Sequence, residues 1–168
     1  KKGAVVINSS RGEVCETRAM LKGLDNGQIS RLVLDVWENE PNIDSKLHNK
    51  VWIGTPHIAG YSVDGKSNGS TMTIHAIARE FGLPLQDWQP TSLPVPDYPF
   101  IHLDNNSEPA YLTAAKAILR TYDILEDDKR LREDPEDFEK QRGSYPVRRE
   151  FHIWEITCGP ARPAHISM

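Results

Sequence analysis

Apolar residues come in short, bounded runs along the first sixty positions. Gly3 to Asn8 is a β-rich run closed by Asn8-Ser9-Ser10-Arg11-Gly12, which holds the turn residues that end a strand. From Glu13 to Asn26 the apolar positions Val14, Ala19, Met20, Leu21 and Leu24 fall at approximately helical spacing, and Asn26-Gly27 supplies a left-handed stop. Leu32 to Trp37 is a nearly continuous apolar run, the pattern of a parallel strand covered on both faces. Val51-Trp52-Ile53-Gly54 is a third strand, followed by Thr55-Pro56-His57. Strands alternating with helices predict an α/β architecture with a parallel sheet. Ligands of such sheets gather beyond the carboxyl ends of the strands, where Arg11, Asp35 and His57 all fall.

Past residue 60 the period lengthens. Ser62 to Phe81 reads as a helix, with Met72, Ile74, Ala76, Ile77 and Ala78 apolar and Gly82 as its stop. Five prolines between Pro84 and Pro99 forbid a helix and predict an extended linker. Phe100 to Leu103 reads as a strand, Pro109 to Tyr122 as a helix and Arg149 to Cys158 as a strand. Glu126 to Arg142 is dense in both charge signs and predicts a solvated helical face.

Composition narrows the classes of function. The 168 residues are 38% hydrophobic and 26% charged, as in an ordinary globular protein with a core. A net charge of -4 supplies no basic field, which argues against nucleic acid and against an anionic membrane as partners. No run approaches the ~18 apolar residues of a membrane span. Cys15 and Cys158 cannot build a disulfide framework, and without a CxxC or clustered histidines there is no zinc ligand set. A cytoplasmic, reducing location and the absence of a bound metal are the expectations.

Taken one by one, the candidate residues keep two readings. Arg11 follows a strand and could grip a planar anion through two parallel hydrogen bonds, or form a surface salt bridge. Glu40 and His57 come from the ends of consecutive strand regions, so a carboxylate could meet and orient an imidazole that exchanges protons. A loop histidine is also commonly structural, and Asp35 could simply form a turn. Trp37, Trp52, Trp88 and Trp154 read as core or interface aromatics, and Cys15 as a small core residue. Arg142, Arg148 and Arg149 read either as partners of nearby acids at a subunit contact or as ligands of a phosphate.

The order of the segments is more specific. Gly3-Ala4-Val5-Val6-Ile7-Asn8-Ser9-Ser10-Arg11-Gly12, then Leu34-Asp35-Val36-Trp37-Glu38-Asn39-Glu40-Pro41, then Thr55-Pro56-His57-Ile58-Ala59-Gly60 resemble three successive motifs of the D-isomer-specific 2-hydroxyacid dehydrogenases. The resemblance implies the C-terminal part of a Rossmann-like, doubly wound parallel sheet and NAD as cofactor. Carried over, Arg11 binds the substrate carboxylate, His57 takes the hydroxyl proton and Glu40 orients His57. Asp35 lies near the nicotinamide carboxamide and Gly60 lets the cofactor ring approach.

His57-Ile58-Ala59-Gly60-Tyr61-Ser62-Val63-Asp64-Gly65-Lys66 resembles the branch of that family acting on a small phosphorylated hydroxy acid, in which Tyr61 contacts substrate. Tyr122-Asp123-Ile124, Asp127-Asp128, Phe138, Arg142, Tyr145 and Arg148-Arg149-Glu150-Phe151 resemble that branch's small α+β dimerisation domain. The resemblance implies a homodimer through residues 97–168. It divides the chain into 1–61 of the cofactor domain, 62–92 as a crossing helix and return segment, and 93–168 as the dimerisation domain. Another 2-hydroxy acid such as phosphoglycerate, and a non-catalytic NAD-sensing scaffold, are the competing readings.

One expected motif is missing. No two glycines stand at i and i+2, so the G-x-G-x-x-G turn that cradles pyrophosphate is not in this sequence, nor is its ribose-binding acid. The expectation is that those units precede Lys1, and that residues 1–168 alone bind NAD negligibly. Gly159 to Met168 matches no motif.

Overall fold

Three parallel strands begin the chain in the computed structural model, which describes residues 1–96, 99–104 and 108–159. They are β1 (Ala4–Asn8), β2 (Ile29–Leu34) and β3 (Ile53–Gly54), in the order β1-β2-β3. Asn8 pairs with Leu34 and Leu34 with Gly54, so the three strands end level with one another. The ladder runs on by one rung on each side, with Asp35 N donating to Asn8 O and Thr55 N to Leu34 O, both at 2.9 Å. The expected α/β class with a parallel sheet is therefore what the chain forms.

Several boundaries differ from the sequence reading. The first helix, α1 (Thr17–Asp25), starts four residues later than the apolar spacing suggests. Gly12–Val14 is a single 3-10 turn, and Thr17 N donates to the Glu38 carboxylate at 2.9 Å. That side chain caps the helix in place of a local N-cap residue, and the bond holds the Glu38 carboxyl below its usual pKa. β2 stops at Leu34 and not at Trp37, because Asp35 and Trp37 are drawn into bonds with the segment beyond β3.

The residues pack as two compact units, one made of Lys1–Ala59 with Ile124–Pro146, the other of Gly60–Asp123 with the chain from Val147 onward. Residues 124–146, grouped above with 93–168, thus pack with the three-stranded sheet. Here α2 (Ser45–His48) joins α5 (Ile124–Glu133) and α6 (Phe138–Gly143) around a core of Met20, Leu32, Leu34, Trp37, Leu47, Val51, Leu131 and Phe138. The charge-dense stretch is consequently not just a solvated face. Leu131 and Phe138 are fully buried, and its charges cap the sheet. Asp128 accepts from Gly54 N at 2.7 Å, while Arg132 holds Asp128 through two bonds and donates to Val51 O. Trp37 is a core residue, whereas Trp52 is half-exposed beneath the Arg31 guanidinium, 4.4 Å from its ring centroid. On β1, Val5 and Ile7 share one face and both are exposed.

The second unit contains α3 (Val63–Glu80), α4 (Ala110–Thr121) and a two-stranded parallel sheet of β4 (Phe100–Asp104) and β5 (Glu155–Gly159). β5 begins later than the expected strand because Arg149 and Glu150 are otherwise engaged. Arg149 grips Asp64 in two parallel bonds, Nε to Oδ2 at 2.8 Å and Nη2 to Oδ1 at 2.9 Å, and Glu150 N donates to the same carboxylate. Both side chains are about 95% buried, their residual exposures being 4% and 5%. Arg149 is therefore an internal strut, and Arg148 stacks over the Tyr122 ring at 4.3 Å.

The Arg149 guanidinium holds the Asp64 carboxyl at about 2, down from 3.8. A depressed folded-state value means stability that is complete above pH ~4 and lost as pH falls towards 2. Asp64→Asn leaves a buried guanidinium unpaired and is expected to lower unfolding free energy by about 3 kcal/mol at pH 7. Urea titrations at pH 7 and near pH 2.5 should show the gap between wild type and variant narrowing in acid.

Candidate active site

The carboxyl ends of the three strands each feed one turn. After β1, the buried Asn8 side chain builds the first, accepting from Ser10 N and Ser10 Oγ and donating to Arg11 O at 3.0 Å. This Asx-type turn thrusts Arg11 outward. Among the described residues its guanidinium bonds only to the Ser10 carbonyl, at 2.7 Å, and meets no carboxylate. Its remaining N–H groups suit a planar anion. Gly12 lies against the backbone of Trp37, where a Cβ would sit 2.0 Å from the Trp37 carbonyl oxygen. No side chain fits there, so the Arg11 turn is registered directly on the loop after β2.

Asp35, the first residue past β2, is buried and its carboxylate is spent on the loop after β3. Oδ1 accepts from Thr55 Oγ1 at 2.7 Å and Ile58 N at 2.8 Å, and Oδ2 accepts from Ala59 N at 3.0 Å. Its carbonyl accepts from His57 N at 2.7 Å. The residue between these anchors, His57, takes a left-handed φ of 55°, a conformation that is strained for a non-glycine residue.

That conformation delivers the His57 ring to Glu40. His57 Nδ1 and Glu40 Oε2 are 2.7 Å apart, and Glu40 Oε1 accepts from Trp37 N at 2.7 Å. An ionised carboxylate only accepts, so the pair puts the ring proton on Nδ1 and leaves Nε2 as a proton acceptor. Both side chains are partly buried. The structure thus brings Glu40 and His57 into contact, ties Asp35 to the backbone on either side of His57, and places Arg11 at the neighbouring strand end. Gly60 and Tyr61 belong to the second unit. Gly60 has φ 79° and nothing within 4 Å of the position a Cβ would take, while the Lys66 ammonium lies over the Tyr61 ring at 4.1 Å.

Comparison with known proteins now becomes decisive. Residues 1–59 match the D-isomer specific 2-hydroxyacid dehydrogenase, NAD binding domain, and residues 92–166 match a domain of unknown function, DUF3410. The erythronate-4-phosphate dehydrogenase of Bacteroides thetaiotaomicron is 47% identical over 152 residues, which is 90% of this chain and 41% of that protein. That of Porphyromonas gingivalis is 38% identical over 98% of this chain and 44% of its own length. Among solved structures, a glyoxylate reductase from Paecilomyes thermophila is 27% identical, with a TM-score of 0.42 over 52% of this chain and 29% of that one. Over residues 1–59 the chain belongs to the D-isomer specific 2-hydroxyacid dehydrogenase family. It spans about two-fifths of the length of the curated relatives it matches.

The family's cofactor is NAD, and the Asp35 carboxylate has the chemistry to hold its carboxamide. Among the described residues Asp35 Oδ2 accepts a single bond and can take an amide donor. The family's pyrophosphate-binding glycines are not in these 168 residues. Two site neighbours, Arg142 and Asp128, are grouped with the dimerisation domain by the sequence reading, yet both pack beside the site. Arg142 Nε donates to His57 O at 3.3 Å, and Asp128 caps the end of β3, from positions some 75 to 85 residues downstream. No periodicity links such distant positions, so only the packing of α5 and α6 reveals them.

Asp35→Asn tests the clamp. An amide reproduces one carboxylate oxygen but turns an N–H towards a backbone N–H at the other. The expected loss is about 1–3 kcal/mol in urea unfolding. Hydrogen exchange should quicken at the amides of Ile58 and Ala59.

Proposed function

We propose that this chain supplies the proton-relay part of an NAD-dependent oxidoreductase that oxidises 4-phospho-D-erythronate to 3-hydroxy-2-oxo-4-phosphooxybutanoate, a step of pyridoxine (vitamin B6) biosynthesis. The observation that carries the reading is the 2.7 Å contact between Glu40 and His57 Nδ1, which leaves Nε2 free to accept a proton. Supporting it are the names of the relatives, which are erythronate-4-phosphate dehydrogenases across at least 90% of this chain.

In this reading Arg11 pairs with the substrate carboxylate and holds the C2 hydroxyl towards His57. Nε2 takes the hydroxyl proton, the O–H electrons form the carbonyl, and the C2 hydrogen departs with its bonding pair. NAD, when bound, accepts that hydride. Glu40 holds the resulting imidazolium in place, and the Arg11 charge favours the growing carbonyl dipole. The resemblance assigns Tyr61 a substrate contact, Asp35 the carboxamide and Gly60 the approach of the ring. A homodimer through residues 97–168 and a cytoplasmic location complete the proposal. Exposed Phe100, Tyr111, Ile118 and Phe151 are compatible with a subunit contact, and no helix of the described residues is long and apolar enough to cross a membrane.

The test is His57→Ala in the full-length protein, assayed by NADH formation with 4-phospho-D-erythronate and with 3-phosphoglycerate. Turnover of the erythronate ester should fall by ~10²-fold or more. Undiminished turnover would remove the proton relay from the mechanism, and preference for phosphoglycerate would reassign the substrate.

A further inference from the structure

Trp37 is the residue around which the three strand-end turns meet, and its side chain has no role in the reading so far. It is almost completely buried, with 2% of its surface exposed. Its indole Nε1 donates to Thr55 O at 3.0 Å, while the other polar groups of Thr55 are held by Leu34 O and Asp35 Oδ1. Thr55 stands two residues before His57. The Trp37 ring also floors β3, where a Cβ on Gly54 would lie 2.9 Å from Cζ2, and it meets the His48 ring edge-on at 5.4 Å. Meanwhile its backbone N–H fixes Glu40 Oε1 and its carbonyl abuts Gly12.

One residue thus touches Glu40 directly and reaches the His57 segment through Thr55. Its main chain sets the carboxylate, and its indole sets the strand exit that carries the imidazole. From this geometry we infer that Trp37 is a positioning residue for the relay: the indole N–H bond to Thr55 O keeps the His57 ring in register with Glu40. The inference rests on the relay proposed above. A phenyl ring would fill most of the same space and leave Thr55 O without a donor, so that the exit of β3 could slide relative to Glu40. Misplacement of a reacting group by ~1 Å lowers rate by up to ~10²-fold, so a slackened register should appear in kcat.

The experiment uses the full-length protein with Trp37→Phe, Glu40→Gln, the double variant and His57→Ala. Trp37→Phe should lower kcat by ~10-fold or more while changing KM for NAD by less than ~2-fold. In the Glu40→Gln background the same change should add less than ~2-fold, because residues acting through one another are not additive. If Trp37→Phe fails to fold, the benzothiophene analogue of tryptophan at position 37 keeps shape and volume and deletes only the N–H; the same losses are expected of it. A kcat within ~2-fold of wild type for either variant, or an undiminished loss in the Glu40→Gln background, overturns the inference and leaves the relay intact. Full activity of both His57→Ala and Glu40→Gln overturns the relay, and the inference with it.

Discussion

Everything at the functional end of the first unit depends on one carboxylate that does no chemistry in its present contacts. Asp35 sits where β2 ends, and it satisfies the backbone N–H groups of Ile58 and Ala59 and the hydroxyl of Thr55. Without it those buried donors would lack partners, and an unmet buried donor costs ~1–3 kcal/mol. With it, the segment after β3 is stitched to the segment after β2 more firmly than a two-residue strand could manage. β3 is that short, so its register comes from the loop bonds at least as much as from the ladder.

The same device recurs elsewhere in the chain. Glu38 caps α1 through Thr17 N, Asp128 caps the Gly54 N–H, and Asp64 receives Arg149 together with Glu150 N. In each case an acid distant in sequence satisfies a backbone donor that regular structure leaves open. Arginine completes two of the three, since its fork can hold a carboxylate and still reach a carbonyl, as Arg132 does with Asp128 and Val51 O. Charge that composition alone would assign to a solvated face is thereby drawn into the frame of the fold.

This division explains which parts of the chain could be read in advance. Strand exits were legible because apolar runs stop at turn residues, and parallel sheets collect function at those exits; Arg11, Asp35, Glu40 and His57 were found on that logic. The contact between Glu40 and His57 was legible as residue types, though its dependence on Trp37 and Asp35 was not, since a hydrogen bond to a main-chain atom leaves no trace in residue identity. The start of α1 was misplaced because its cap comes from Glu38, 21 residues away. The fate of residues 124–146 was misread because burial of Leu131 and Phe138 occupies only two positions among many charges, too few to register as a period. Arg149 likewise reads from sequence as an ion-pair partner at a subunit contact or a phosphate ligand, and its buried partner Asp64 shows it to be internal.

His57 shows how these levels combine. A left-handed backbone at a residue with a Cβ is unfavourable by ~1–3 kcal/mol, and such strain persists only where its surroundings over-determine it. Here they do: His57 N is held by Asp35 O, His57 O by Arg142, the next two amides by the Asp35 carboxylate, and the ring by Glu40. Were the residue relaxed to an extended φ, the same bonds could not all be kept, and the ring would leave the carboxylate. The strain therefore marks the Glu40–His57 contact as something the fold enforces. It turns an imidazole that a loop would otherwise leave mobile into one with a fixed proton on Nδ1 and a free lone pair on Nε2, which is the form a proton acceptor requires.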